Sequence, residues 1–172
     1  GKKSYNYALF QHASACAVVF VLTPMRDATH LIEYFSELKG TVNSDRAGIY
    51  KKMEKKVEGI IIAFCWVHVR RDFIKCARYT KGNRGWALQY LKIIRRLFHL
   101  NKQRLTMVDN PEAYLEKDTQ LRLVLNKLNE MSQEELLDDG LKSERRTILK
   151  SLHRHWAGLT VFVDNPSIPM DN

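Results

Sequence analysis

The sequence predicts an α/β fold in which the strands come early and the helices late, on three observations. Gly59 to Cys65 is an unbroken apolar run that turns within three residues into a basic stretch with helical periodicity. The β-rich segments lie ahead of that junction, and behind it the apolar positions recur at helical spacing. A chain of 172 residues, 45% apolar and 27% charged, has globular composition and enough length for one domain with a real core.

Tyr5 to Gln11 and Ala15 to Leu22 read as two strands joined across the polar break His12 to Ser14, a hairpin. Pro24 ends the second. Asp27 to Lys39 places Ala28, Leu31, Ile32, Phe35 and Leu38 on one helical face, and Gly40 stops that helix. Thr41 to Asp45 is a short strand with an acid at its C-terminal end, and Arg46 to Met53 can start a helix directly after it.

The run Gly59 to Cys65 shows no alternation, which predicts an internal strand covered on both faces. From His68, Val69, Phe73, Cys76 and Ala77 fall at helical spacing, with Arg70, Arg71, Lys75 and Arg78 between them. Trp86 to Leu100 is a further amphipathic helix, and Pro111 opens another that carries Leu121, Val124, Leu125, Leu128 and Met131. Ser132 to Glu135 has capping-box spacing ahead of Leu136 and Leu137, which predicts a new helix start there. Gly140 breaks the pattern; Ile148, Leu149, Leu152, Trp156 and Leu159 define one last helix, and Asp164 to Asn172 reads as loop.

Composition and charge narrow the function. No apolar run approaches the roughly 20 residues that span a bilayer. The start, GKKSYNYALFQ, has no signal-peptide core, and three cysteines without paired spacing favour a reducing cytoplasm. The net charge of +9 is unevenly spread. Arg46 to Arg104 holds 16 Lys and Arg against 3 Asp and Glu, or +13, whereas Leu105 to Gly140 holds 3 against 9, or −6. A basic middle third is what a polyanion-binding face needs, although a solvated surface can share the composition.

Two constellations carry candidate chemistry. Asp45 stands at a strand end, where a rigid backbone delivers side chains to the crevice outside a sheet; the same residue can instead cap the helix that follows. Cys65 and His68 have the spacing of a metal-ligand pair, but no second close pair accompanies them, and His153 and His155, two apart, diverge on a helix. No phosphate-binding glycine loop and no nucleophile elbow is present.

Three landmarks occur in order: Asn43-Ser44-Asp45-Arg46-Ala47-Gly48-Ile49-Tyr50, then Cys65-Trp66-Val67-His68-Val69-Arg70-Arg71-Asp72-Phe73, and finally Trp156-Ala157-Gly158-Leu159-Thr160 through Ile168-Pro169-Met170-Asp171-Asn172. Together they resemble the catalytic core of bacterial insertion-sequence transposases of the family numbered sixty-six. That family pairs an Asp-Gly-Tyr-type strand end with a C-W-A-H-x-R-R-x-F motif and closes on I-D-N-N-x-x-E-R. Cys65, Trp66, His68, Arg70 and Arg71 carry the most specific match, and Asp171 with Asn172 the closing one. The resemblance covers nearly the whole chain.

The resemblance implies an RNase H-like mixed sheet, its first strand missing here, interrupted by a mostly helical insertion. The division would be residues 1–66 as partial core, 67–163 as insertion and 164–172 as a return segment leading toward the catalytic Glu. It also implies DDE chemistry, in which three carboxylates hold two divalent ions about 3.5 to 4 Å apart that activate an attacking oxygen and stabilise the leaving one at a DNA phosphodiester. Magnesium suits such an oxygen donor set.

By motif match Asp45 is the second acid, catalytic and metal-binding. The first and third have no counterpart in residues 1–172, so the chain is expected to be inactive alone, with two inner strand edges unpaired. Arg46 replaces the family's Gly after the acid. The implied partners are transposon-end and target DNA, gripped by Lys51, Lys52, Arg70, Arg71, Lys75 and Arg78, with no membrane and with homo-oligomerisation left open. A basic module that grips nucleic acid without cutting it is the alternative.

Overall fold

A computed structural model describes residues 8–13, 18–23, 29–37 and 39–171. It is mixed α/β and mostly helical, and the chain divides into two compact units: residues 1–42 with 47–62, and residues 43–46 with 63–172.

In the first unit β1 (Ala8–Ala13) and β2 (Val18–Thr23) pair antiparallel, with Ala8 opposite Thr23 and Ala13 opposite Val18. The ladder runs through the predicted break, since His12 and Ala13 still pair with Val19 and Val18. Residues 5–7 and 14–17, part of the same expectation, lie outside the described residues. On β2, Val18, Phe20 and Leu22 are exposed at alternate positions, so one apolar stripe of the hairpin is open. Helix α1 (Thr29–Phe35) buries Leu31 and Phe35, and α2 (Gly48–Glu54) buries Met53. Glu54 accepts the Ile62 N–H through Oε1 at 3.2 Å.

Strand β3 (Gly40–Ser44) pairs with β4 (Ile60–Phe64). The Gly40 N–H donates to the Gly59 carbonyl at 2.9 Å, and the Cys65 N–H donates to the Ser44 carbonyl at 3.0 Å, so the two strands run the same way. Gly40 and Gly59 sit at φ 126° and 82°, backbone that a side chain would strain, which is why glycine opens β3 and stands directly before β4. The expected cover on both faces of β4 holds at Ile60, Ile62, Ala63 and Phe64 but not at Ile61, which is 51% exposed. Among the described residues β3 is the only strand paired with β4, so the strand expected to be internal has one ladder rather than two.

The second unit is built from α3 (Trp66–Tyr79), α4 (Arg84–Leu105), α5 (Pro111–Leu137), α6 (Ser143–Arg154) and α7 (Trp156–Asp164). Helix α3 packs on α4 through an aromatic cluster in which Phe73 stacks on Tyr90, centroids 4.7 Å apart, and lies 5.4 Å from Trp86. Helix α4 packs along α5, and the buried faces carry Ile94, Leu97 and Leu100, then Leu121, Leu125 and Leu128. Asn110 caps α5 by accepting the Ala113 N–H, with Pro111 at the first helical position, where a missing N–H costs nothing. No helix among the described residues is long and apolar enough to cross a membrane.

Two sequence expectations fail in this unit. The capping box at Ser132 does not start a helix: Ser132 is buried inside an unbroken α5, where its hydroxyl donates to the Asn129 carbonyl and meets His153 Nε2 at 2.9 Å. With both contacts available the hydroxyl does not compete for a free N–H, and the helix runs on. The last predicted helix is two, divided at His155, whose φ of −107° and ψ of 5° are not helical and whose Nδ1 lies 2.7 Å from the Ser151 carbonyl.

Arg104 is fully buried, and each of its three nitrogens has a partner. Nε donates to Asn101 Oδ1, Nη1 to Asp118 Oδ1 and the Val163 carbonyl, and Nη2 to the Phe162 carbonyl at 2.6 Å. The two carbonyls belong to the last turn of α7, where helix geometry leaves them without N–H partners. Arg104 therefore ties α4, α5 and the end of α7 together.

Candidate strand-end site

Parallel pairing sets Ser44 and Cys65 side by side where β3 and β4 end, and the chain leaves both strands there. Asp45 follows Ser44 directly. It is half-buried and has a polar contact of its own, and the Ser44 hydroxyl donates to its carbonyl at 3.0 Å. The N-cap of α2 is Ala47, not Asp45, so the helix-cap reading of the acid is not what the fold uses.

The return segment closes on the same strand end. The Trp66 N–H donates to the Met170 carbonyl at 3.0 Å. Asn43 Nδ2 donates to the Pro169 carbonyl at 2.9 Å and the Asp171 carbonyl at 3.3 Å. Met170 is buried, which fixes the segment in place with an apolar anchor between polar contacts. Trp66, fully buried, adds an indole bond from Nε1 to the Leu159 carbonyl at 2.7 Å and an edge contact with Trp156. The tryptophan, read from the sequence as a family-motif residue, thus joins the strand end to α7 and to the return segment. Asn172 lies outside the described residues.

Arg46 secures the other side. Its Nη2 donates to Asp72 Oδ2 and, at 3.0 Å, to the His68 carbonyl, while Nη1 donates to Ser151 Oγ at 3.1 Å. The residue that departs from the family's glycine is therefore the one that fixes the loop carrying Asp45 to α3 and α6. Three buried polar atoms in this cluster, Asn43 Oδ1, Arg46 Nε and His68 Nδ1, have no hydrogen-bond partner among the described residues. They are three of the five such atoms among the described residues, the others being Asn83 Nδ2 and the Tyr90 hydroxyl, so the unpaired buried polar groups concentrate beside this strand end.

The structure brings Asp45, Cys65, Trp66, His68 and Asp171 to this end of the strands. It leaves Arg70, Arg71, Lys75 and Arg78 exposed on the outer face of α3, while on α2 in the first unit Lys52 is exposed and Lys51 is half-buried. Cys65 and Cys76 are buried free thiols. Among the described residues no group of three or more His, Cys, Asp or Glu side chains gathers into a metal-sized cluster.

Sequence reasoning missed the anchoring work of Asn43, Arg46, Asp72 and Ser151. One signal was available: Asp72 is the sole acid between Glu58 and Asp109, a single counter-charge in a long basic stretch. Its partner, Arg46, lies across α2 and β4 and stood out in the sequence only as the replacement for the family's glycine.

A family model described as the IS66 transposase family matches residues 1–172, all of the chain. No curated protein and no solved structure gives a significant match. The strand-end acid, the C-W-x-H-x-R-R helix start and the return segment are the landmarks expected of that family, and the full-length match agrees: the chain belongs to the IS66 transposase family.

Proposed function

We propose that the chain is part of the catalytic core of a DDE transposase, that Asp45 is one of its metal-binding carboxylates, and that the reaction is metal-dependent cleavage and joining of DNA strands. The observation that carries this reading is the convergence of three separated segments on one parallel strand end: 43–46, 65–68 and 169–171. Chemistry in α/β proteins is placed there because the strands hold the backbone rigid while the side chains beyond them face a crevice.

An RNase H-like sheet is the architecture that best accounts for the strands. The hairpin and the parallel pair are separate two-stranded sheets, β2 exposes an apolar stripe, and two-stranded ribbons are marginal in water. A strand between β1 and β3 would make one sheet of both, and it is the strand that carries the first acid in the family pattern.

The donors present fit a metal site only in part. Asp45 offers a hard carboxylate oxygen of the kind magnesium takes, but the described residues alone do not complete a donor set. When bound, the metal pair would supply the charge stabilisation at the phosphodiester. The chain's own contribution is positional: Arg46 and Asn43 hold the backbone on either side of Asp45, and Trp66 seats the return segment toward the position of the third acid. Exposed cations on α3 would meet the phosphate backbone. In the complete transposase Asp45→Asn is expected to abolish magnesium-dependent strand cleavage while DNA binding stays nearly intact. Cleavage that survives the substitution would remove the catalytic assignment and leave the non-catalytic binding module as the better reading.

A further inference from the structure

We infer that the outer face of α4 is a second DNA-backbone contact surface, distinct from the α3 cations; the inference rests on the DNA-binding reading above. Arg84, Lys92, Arg95, Arg96, His99 and Lys102 are all exposed on this helix. At 100° per residue they fall within about a third of the circumference, and at about 1.5 Å per residue they extend about 27 Å along the axis. The 22 residues of α4 include no Asp or Glu, and none of these five Lys and Arg side chains makes an ion pair or hydrogen bond within the described structure.

This arrangement works against the helix that carries it. Lys92 with Arg96, and Lys92 with Arg95, are like charges at i,i+4 and i,i+3, which repel. Arg84 puts a cation in the first turn, which has no acid to offset the positive end of the helix dipole. A merely solubilising surface mixes signs, as α5 does next door, where Lys117 pairs with Glu116 and Arg122 with Asp118 and Asp164. A stripe of one sign with no internal counter-charge is stabilised by an external polyanion. Duplex DNA presents one phosphate charge per about 1.7 Å of axis, so a stripe of this length spans enough phosphates to engage all five Lys and Arg side chains.

The test is the salt dependence of duplex DNA binding by the chain, comparing the parent, the triple variant Lys92→Gln, Arg95→Gln, Arg96→Gln, and the α3 variant Arg70→Ala, Arg71→Ala. The α4 variant is expected to lose about 2 to 3 from the log–log salt slope, at about 0.9 per phosphate contact, and to lose affinity about equally for unrelated sequences. Its melting temperature is expected to match or exceed the parent's, because repulsion has been removed. An unchanged slope in the α4 variant, with a reduced one in the α3 variant, would overturn the α4 surface and keep the DNA reading. A parent chain that does not bind DNA would overturn both. Loss of self-association in the α4 variant without loss of DNA affinity would assign the stripe to a second copy's acidic α5 and overturn the proposal.

Discussion

The Trp66 backbone N–H and the Met170 carbonyl meet at 3.0 Å, which closes the C-terminal segment onto the end of the parallel strand pair. The contact joins two motifs separated by the whole helical part of the chain. It gives that part a clear role, since α3 leaves from the strand end and the segment after α7 comes back to it.

The loop that bears Asp45 depends on Arg46. Arg46→Ala is expected to destabilise the protein by about 2 kcal/mol, because a charged donor with three partners is lost from a mostly buried position. Asp72→Asn is expected to cost about 1 kcal/mol, since two of the three Arg46 bonds survive. The double variant should cost little more than Arg46→Ala alone, a coupling that urea midpoints at constant m-value would reveal. Strict additivity would mean that the two residues act separately.

Arg104 and Arg122 both bond to Asp118 and are expected to differ sharply. Arg104 is fully buried among backbone carbonyls, so Arg104→Ala leaves Asp118 and two α7 carbonyls without their partner and is expected to cost about 3 to 5 kcal/mol. Arg122 is 47% exposed, and Arg122→Ala is expected to cost at most about 1 kcal/mol. Denaturant titration of the two variants checks the ranking.

Burial lowers the His153 pKa below its ordinary value, and hydrogen bonding to Ser132 offsets part of that. The folded state therefore favours neutral His153. The unfolded chain binds the proton more readily, so this contribution to stability is present above about pH 6.5 and is lost as pH falls through the folded value. Stability should fall on acidification from about pH 7.5 to about 5.5, and His153→Gln should flatten that dependence. A variant with the parent's pH profile would place the titrating group elsewhere.

Local order was readable in the sequence, and long-range anchoring was not. The helical periods of α3, α4 and α5 and the strand β4 were visible because each buries one face or run against neighbours, and periodicity reports burial. The boundaries erred where a side chain found a distant partner: Ser132 met His153 instead of starting a helix, and His155 turned the chain by bonding Ser151. Asp45, Trp66 and Asp171 were legible as motif residues. Arg46 was read as a departure, although the fold uses it as the main tether of the site, because its partners on α3 and α6 are far away in the chain.

In the proposed transposase core, the segments around Asp45, Cys65 to His68 and Pro169 to Asp171 would surround one metal position. Iron-directed hydroxyl-radical cleavage of the complete transposase, with Fe²⁺ in place of magnesium, tests it directly. Backbone cuts are expected at all three segments, and all three should fade together in Asp45→Asn. Cuts confined to other parts of the chain, or cuts at these segments that persist in Asp45→Asn, would contradict it.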